Sequence, residues 1–153
     1  QSRSSAASDV YKRQGLDVAG QEARIAAAVT RLAAVGSEVS LFIDADPRQI
    51  EASKRVGAPA IELHTGRYAD AHTPQEAEAE LQRIRDGVAL GVSLGLIVNA
   101  GHGLHYHNVE PVAAIPGINE LNIGHALVSH ALFVGFKEAV REMKQLIQGA
   151  APR

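Results

Sequence analysis

Short apolar runs alternate along the chain with stretches whose apolar residues recur at helical spacing. Residues 18–36 predict a helix, because apolar residues recur there every three or four positions, at Ile25, Val29, Leu32 and Val35. Four runs rich in apolar and β-branched residues predict strands, at residues 38–45, 58–66, 96–101 and 118–124. Further helices are predicted between and after the strands, at residues 46–57, 73–95, 109–115 and 125–149. The pattern therefore predicts four strands that alternate with helices.

Two of the predicted helices carry start signals of their own. Asp46 is a favoured capping residue, and Pro47 follows it in the first turn, where proline is tolerated. Thr73 and Glu76 have the spacing of a capping box, with Pro74 in the first helical position. These signals predict where both helices begin.

Alternating strands and helices indicate an α/β fold with parallel strands and right-handed crossovers. Two architectures remain open: an open doubly wound parallel sheet, or part of a (β/α)8 TIM barrel. The length of 153 residues favours the open sheet, because a complete barrel needs about 250 residues. The polar residues Glu62, Asn99 and Asn122 inside the strands favour the barrel, whose upper mouth can hold polar side chains.

Composition narrows the class of protein. The net charge is -2 with no basic stripe, which argues against nucleic-acid binding. There is no cysteine for a disulfide or a thiolate metal site, and no apolar stretch reaches the roughly 18 residues of a membrane span. Residues 1–14 are polar and are interpreted as a non-native or disordered leader, which leaves residues 15–153 for the fold.

Polar residues cluster where each predicted strand ends. Parallel strands place these residues at one edge of the sheet, where α/β proteins build their active sites. The residues concerned are Asp44, Asp46, Glu62, His64, Thr65, Asn99, His102, Asn122, Gly124 and His125. We therefore expect one polar site at this edge.

The segment "NAGHGLHYHN" raises the alternative of a metal site. His102, His105 and His107 form an H-x-x-H-x-H pattern, and the last two could share a zinc ion. No cysteine is available, and no carboxylate falls at a recurring zinc spacing within the motif. We therefore predict no metal site and interpret His105 and His107 as loop or helix-start residues.

Four motifs in consistent order carry a family resemblance. "SLFIDAD", "IELHTGRYADA", "NAGHGLHYHN" and "ELNIGHALVSHALFVG" together resemble pyridoxine 5'-phosphate synthase, over residues 15–148. The resemblance implies a TIM barrel of which this chain covers about the last four βα units, its C-terminal half. The family's Asn/Asp-His motif, its His-x-Arg motif and a catalytic Glu on an earlier strand do not occur here.

The resemblance also implies a chemistry. Family members condense 1-deoxyxylulose 5-phosphate with 3-amino-1-hydroxyacetone 1-phosphate to give pyridoxine 5'-phosphate, phosphate and water. It implies a cytoplasmic homo-octamer that acts on small phosphorylated substrates and needs no cofactor. His102 matches the proton donor, Glu62 the transition-state stabiliser and Gly103 a contact to the aminoketone phosphate, while Gly124 and His125 match the phosphate-binding pair.

The phosphate site has support that is independent of the family. Gly124 ends a predicted strand and His125 begins a helix, so free N–H groups and the positive end of the helix dipole favour an anion there. The residues alone leave alternatives open: Glu62 in a structural ion pair with an arginine, and His102 as a solvated loop residue. A non-catalytic phosphate-binding α/β module is the corresponding alternative function.

Overall fold

The computed structural model describes residues 15–152. The strands are β1 (Ser40–Ile43), β2 (Ala60–His64), β3 (Ile97–Gly101) and β4 (Ile118–Asn122). The helices are α1 (Glu22–Ala33), α2 (Pro47–Arg55), α3 (Gly66–Ala69), α4 (Pro74–Ser93), α5 (Val109–Ala113), α6 (His125–Val134) and α7 (Phe136–Ala150). The leader, residues 1–14, lies outside the described residues, so its character stays a prediction.

The four strands form one parallel sheet in the sequential order β1-β2-β3-β4. Right-handed crossovers between sequential neighbours place the connecting helices on one face of the sheet. Helix α2 packs on β1, and α4 packs on β2 and β3. Alternate residues of β1, β2 and β3 are buried in the core: Leu41, Ile43, Ile61, Leu63, Val98 and Ala100.

The opposite face of the sheet has a different character. Phe42, Glu62 and Asn99 lie side by side in the strand register, and each is only partly buried. A doubly wound sheet reverses its strand order at a switch point and carries helices on both faces. No reversal occurs among the four described strands. The α/β fold is therefore compatible with consecutive βα units of a TIM barrel, in which the face with the polar strand residues is the inner face.

The predicted helix starts are confirmed. A side-chain oxygen of Asp46 accepts a hydrogen bond of 2.9 Å from the backbone N–H of Arg48, with Pro47 as the first residue of α2. Thr73 Oγ1 accepts from the N–H of Glu76 at 3.1 Å and caps α4. These two caps define the residue at which α2 and α4 begin, after the loops that follow β1 and β2.

Other predictions of local structure were wrong in detail. The predicted helix 18–36 is shorter, and Leu32 and Val35 are 47% and 77% exposed, because helical spacing alone does not tell how much of a helix is covered. The predicted helix 125–149 is divided into α6 and α7 at Gly135, whose φ of 86° is outside the helical range.

The described part of the chain agrees with the absence of an apolar stretch in the sequence. Among residues 15–152, no helix combines the length and the hydrophobicity that a membrane span requires.

Candidate active site

Polar residues from the ends of three strands meet around one cavity of about 870 Å³. All five residues to which the family resemblance assigned a role line this cavity: Glu62, His102, Gly103, Gly124 and His125. Asp44 and Asp46 instead line a neighbouring hollow of about 750 Å³. His64 and Arg67 belong to the walls of both. The parallel sheet therefore brings the predicted site residues together at its carboxyl edge.

His102 projects from the loop after β3 in an unusual backbone conformation. Its φ is 80°, in the left-handed region that few residues other than glycine adopt. The hydroxyl of Thr65, which is fully buried, lies 2.7 Å from the carbonyl of Gly101 and 2.6 Å from that of His102. The backbone is thus held from the β2 side, while the imidazole of His102 stays exposed at the cavity. An exposed imidazole can exchange protons with a bound molecule.

Glu62 lies on the inner face of β2, and its carboxylate extends across β3. Oε2 accepts a hydrogen bond of 3.0 Å from Asn122 Nδ2 on β4. A β-carbon at Gly101 would lie 2.5 Å from Glu62 Oε1, so the glycine makes room for the carboxylate. Glu62 forms no ion pair with an arginine among residues 15–152. The hydrogen-bond partner of Glu62 in the described structure is thus an amide rather than an arginine.

The surroundings of Glu62 raise the pKa of its carboxyl group above the ordinary value of 4.5. Burial raises the pKa of the Glu62 carboxyl, and the negative charge of Glu120 adds to the effect. The hydrogen bond from Asn122 and the charge of His102 act in the opposite direction. A carboxyl group with a raised pKa next to a cavity is a common property of active sites.

The structure requires glycine at one of the two glycine positions of the site but not at the other. Gly103 has a φ of 77°, and a β-carbon there would lie 2.6 Å from the β-carbon of Ala69 in α3. Gly124 has a φ of -115°, which any residue adopts, and a β-carbon there would meet no atom within 4 Å. Gly103 is therefore required by the fold, whereas the described structure does not require Gly124 to be glycine. Close approach of a ligand is a reason that remains for Gly124.

The N-terminus of α6 faces the same cavity. Gly124 is its N-cap and His125 its first residue, and a glycine has no side chain with which to cap the first turn. The first N–H groups of a helix have no partner inside the helix, and the dipole makes this end positive. An anion in the cavity can accept hydrogen bonds from these groups.

The remaining histidines of the motif, His105 and His107, lie against each other, with ring centroids 5.9 Å apart. His105 also lines the cavity, and its Nδ1 accepts a hydrogen bond of 3.2 Å from the backbone N–H of His107. His102 instead contacts His64, with ring centroids 4.8 Å apart. No group of three His, Cys, Asp or Glu side chains within residues 15–152 is placed to hold a metal ion.

Comparison with known families decides where the chain belongs. A family model described as "Pyridoxal phosphate biosynthesis protein PdxJ" matches residues 5–149 of this chain of 153 residues. The chain belongs to the PdxJ family. The match agrees with the resemblance found in the sequence, and it begins at residue 5, within the segment interpreted as a leader. PdxJ is a TIM-barrel family in vitamin B6 biosynthesis, and the four-stranded parallel sheet of this chain is compatible with part of such a barrel.

Two features of this PdxJ chain were missed by sequence reasoning. Helix α3 has only four residues, too few for a periodic signal, yet it places Gly66 against His64 and His102. Asn122 was noted as a strand-end residue, but its hydrogen bond to Glu62 crosses β3 and depends on the register of three strands.

We expect the substitution Glu62→Gln to stabilise the protein at neutral pH. The pKa of Glu62 is raised in the folded state above its ordinary value of 4.5. Protonated Glu62 therefore contributes fully to the stability of the protein below pH 4.5. This contribution is lost as the pH rises through the folded-state pKa. Glutamine stays neutral and can still accept the hydrogen bond from Asn122. Urea denaturation should show a higher midpoint for the variant at pH 7 and a vanishing difference below pH 4.5.

Glu38→Gln is the matched control, because Glu38 is exposed in the loop before β1. It should show no comparable stabilisation at pH 7. A Glu62→Gln variant less stable than the parent at neutral pH would contradict the prediction and indicate that the charge is favourably solvated.

Proposed function

We propose that this protein carries out the chemistry of pyridoxine 5'-phosphate synthase. It condenses 1-deoxyxylulose 5-phosphate with 3-amino-1-hydroxyacetone 1-phosphate, which gives pyridoxine 5'-phosphate, phosphate and water. The observation that supports the proposal is the single cavity lined by His102, Glu62, Gly103, Gly124 and His125. Membership of a vitamin B6 biosynthesis family supports the same chemistry.

The residues take different roles in this proposal. Imine formation, dehydration and ring closure all move protons, and the exposed imidazole of His102 is suited to donate one. Glu62, held by Asn122, stabilises positive charge that develops on the reacting atoms when it is ionised. The uncapped turn at Gly124 and His125 binds a phosphate group of a substrate, and Gly103 contacts the aminoketone phosphate.

Further parts of the proposal follow from the family. The reaction uses no cofactor, and the protein is cytoplasmic and associates with itself, as the homo-octamers of the family do. The alternative, a non-catalytic phosphate-binding module, uses the same turn at Gly124. Phosphate binding therefore tests the site that both functions share, and turnover separates the two functions.

Replacing Gly124 with valine should weaken phosphate binding without loss of the fold. The side chain enters open space and suits the φ of -115°, but it covers the N–H groups at the start of α6. We expect the affinity for inorganic phosphate, measured by isothermal titration calorimetry, to fall about tenfold, since helix-end interactions contribute up to about 2 kcal/mol.

Ser129→Val is the matched control, because Ser129 is exposed further along α6 and does not line the cavity. It should bind phosphate like the parent. Circular dichroism checks that the Gly124→Val variant is folded. If a folded variant binds phosphate with unchanged affinity, Gly124 and His125 do not form the anion site, and both candidate functions lose that site.

A further inference from the structure

His64 is a buried polar residue that the proposed reaction does not use. It is the last residue of β2, and only 4% of it is exposed. Its ring meets Phe42 edge-on, with centroids 5.1 Å apart, and it lies against the ring of His102 with centroids 4.8 Å apart. His64 is therefore in direct contact with the residue proposed as proton donor.

The two ring nitrogens of His64 have different surroundings. Nδ1 lies 3.6 Å from Asp44 Oδ1, whereas Nε2 is buried and has no hydrogen-bond partner among residues 15–152. A carboxylate beside Nδ1 favours the tautomer with its hydrogen on that nitrogen. A buried nitrogen without a partner is costly and rare, so it calls for a functional or structural explanation.

Residues 64–66, which we call the 64–66 segment, pack against His102. A β-carbon at Gly66 would lie 2.7 Å from His64 Nε2 and 3.2 Å from His102 Cδ2, so this glycine admits both rings. Thr65 holds the carbonyls of Gly101 and His102. The segment thus holds the backbone of His102 through a hydroxyl and its imidazole through a second imidazole.

Burial and nearby charges act on the pKa of His64. Burial lowers the pKa of His64, and a proton on His102 lowers it further. The carboxylates of Asp44 and Asp70 oppose this change, while Arg83 adds to it. These effects disfavour a proton on His64 relative to a free imidazole, and His102 is the ring that solvent and ligands can reach.

We propose that His64, oriented by Asp44, is a positioning residue that fixes the imidazole of His102 at the cavity. Asp44 belongs to the neighbouring hollow and does not line the cavity of His102, so it acts on His102 through His64. The functional meaning of this arrangement rests on the proposed function, in which His102 donates a proton. The arrangement itself is measurable without turnover.

The test is nuclear magnetic resonance on the full chain with isotope-labelled histidine rings. The seven histidines are assigned by single substitutions. In the parent, His64 should be neutral with its hydrogen on Nδ1 and should show a contact between its ring and that of His102. Asp44→Ala should shift the ring signals of His102. In a His64→Phe background, Asp44→Ala should cause no further shift, because the coupling passes through His64.

Asp17→Ala is the control, since Asp17 lines the same hollow as Asp44 but accepts a hydrogen bond of 2.9 Å from Gln49 Nε2. It should leave the His102 signals unchanged. A hydrogen on Nε2 of His64, or unchanged His102 signals in folded Asp44→Ala, overturns the proposal. If His64→Phe does not fold, the tautomer and the Asp44→Ala result still decide it.

A kinetic measurement separates this inference from the proposed function. In a preparation that forms product, Asp44→Ala should lower kcat by about tenfold or more, the size seen when an outer residue orients an inner one. KM for both substrates should stay the same. Normal kcat in that variant overturns the positioning role even if His102 is essential, whereas an active His102 variant overturns the proposed function and leaves the ring arrangement intact.

Discussion

The substitution His102→Asn is expected to leave the fold and substrate binding intact while it lowers kcat by about 10², the contribution typical of a general acid. Asparagine keeps a polar side chain but cannot deliver a proton. The choice of asparagine also follows from the backbone, because His102 has a φ of 80° and asparagine is among the residues that tolerate this conformation best. A loss of turnover can then be attributed to the missing imidazole.

The measurement requires a preparation that forms product, either this chain itself or this chain supplied with a polypeptide that carries the family's other motifs. His107→Asn is the matched control, because His107 is exposed in the same segment and does not line the cavity. It should turn over like the parent. Near-normal kcat for His102→Asn would show that this histidine is a loop residue rather than the acid.

The order of elements could be predicted because it depends on local patterns. The caps at Asp46 and Thr73 are formed by residues within a few positions of each other, so the sequence alone defines them. The division between α6 and α7 could not be predicted. Residues 125–149 keep helical spacing across the break, and only the positive φ of Gly135 separates the two helices. Glycine permits that conformation without requiring it.

That polar residues after different strands meet could also be predicted, since parallel strands bring their carboxyl ends to one edge. The contacts inside the site could not. Thr65 holds the carbonyl of His102, and Gly66 admits its ring, across 36 or more positions of the chain. Such contacts depend on how two loops pack, which no pattern in either loop encodes. The role proposed for His64 likewise depends on three contacts that the fold creates: Asp44 beside Nδ1, the ring of His102, and an Nε2 without a hydrogen-bond partner among residues 15–152.

By itself, this chain is expected to form no pyridoxine 5'-phosphate. The resemblance assigns other proton transfers to a His-x-Arg motif and to a Glu of an earlier strand, and neither motif occurs in this sequence. Among the described residues, β4 also lies at an edge of the sheet, where backbone groups without a neighbouring strand favour association with other chains. Leu132 and Phe133 of α6 are 81% and 88% exposed and add apolar surface to that tendency.

A complementation assay tests this expectation directly. The chain is incubated with both phosphorylated substrates, alone and with a polypeptide that carries the family's remaining motifs, and pyridoxine 5'-phosphate is measured by mass spectrometry. Product should form only when both polypeptides are present, because the catalytic groups of both motif sets can then meet at one site. The second polypeptide alone, and the pair containing His102→Asn, serve as controls. Product from this chain alone would contradict the expectation, since its own residues would then supply every proton transfer.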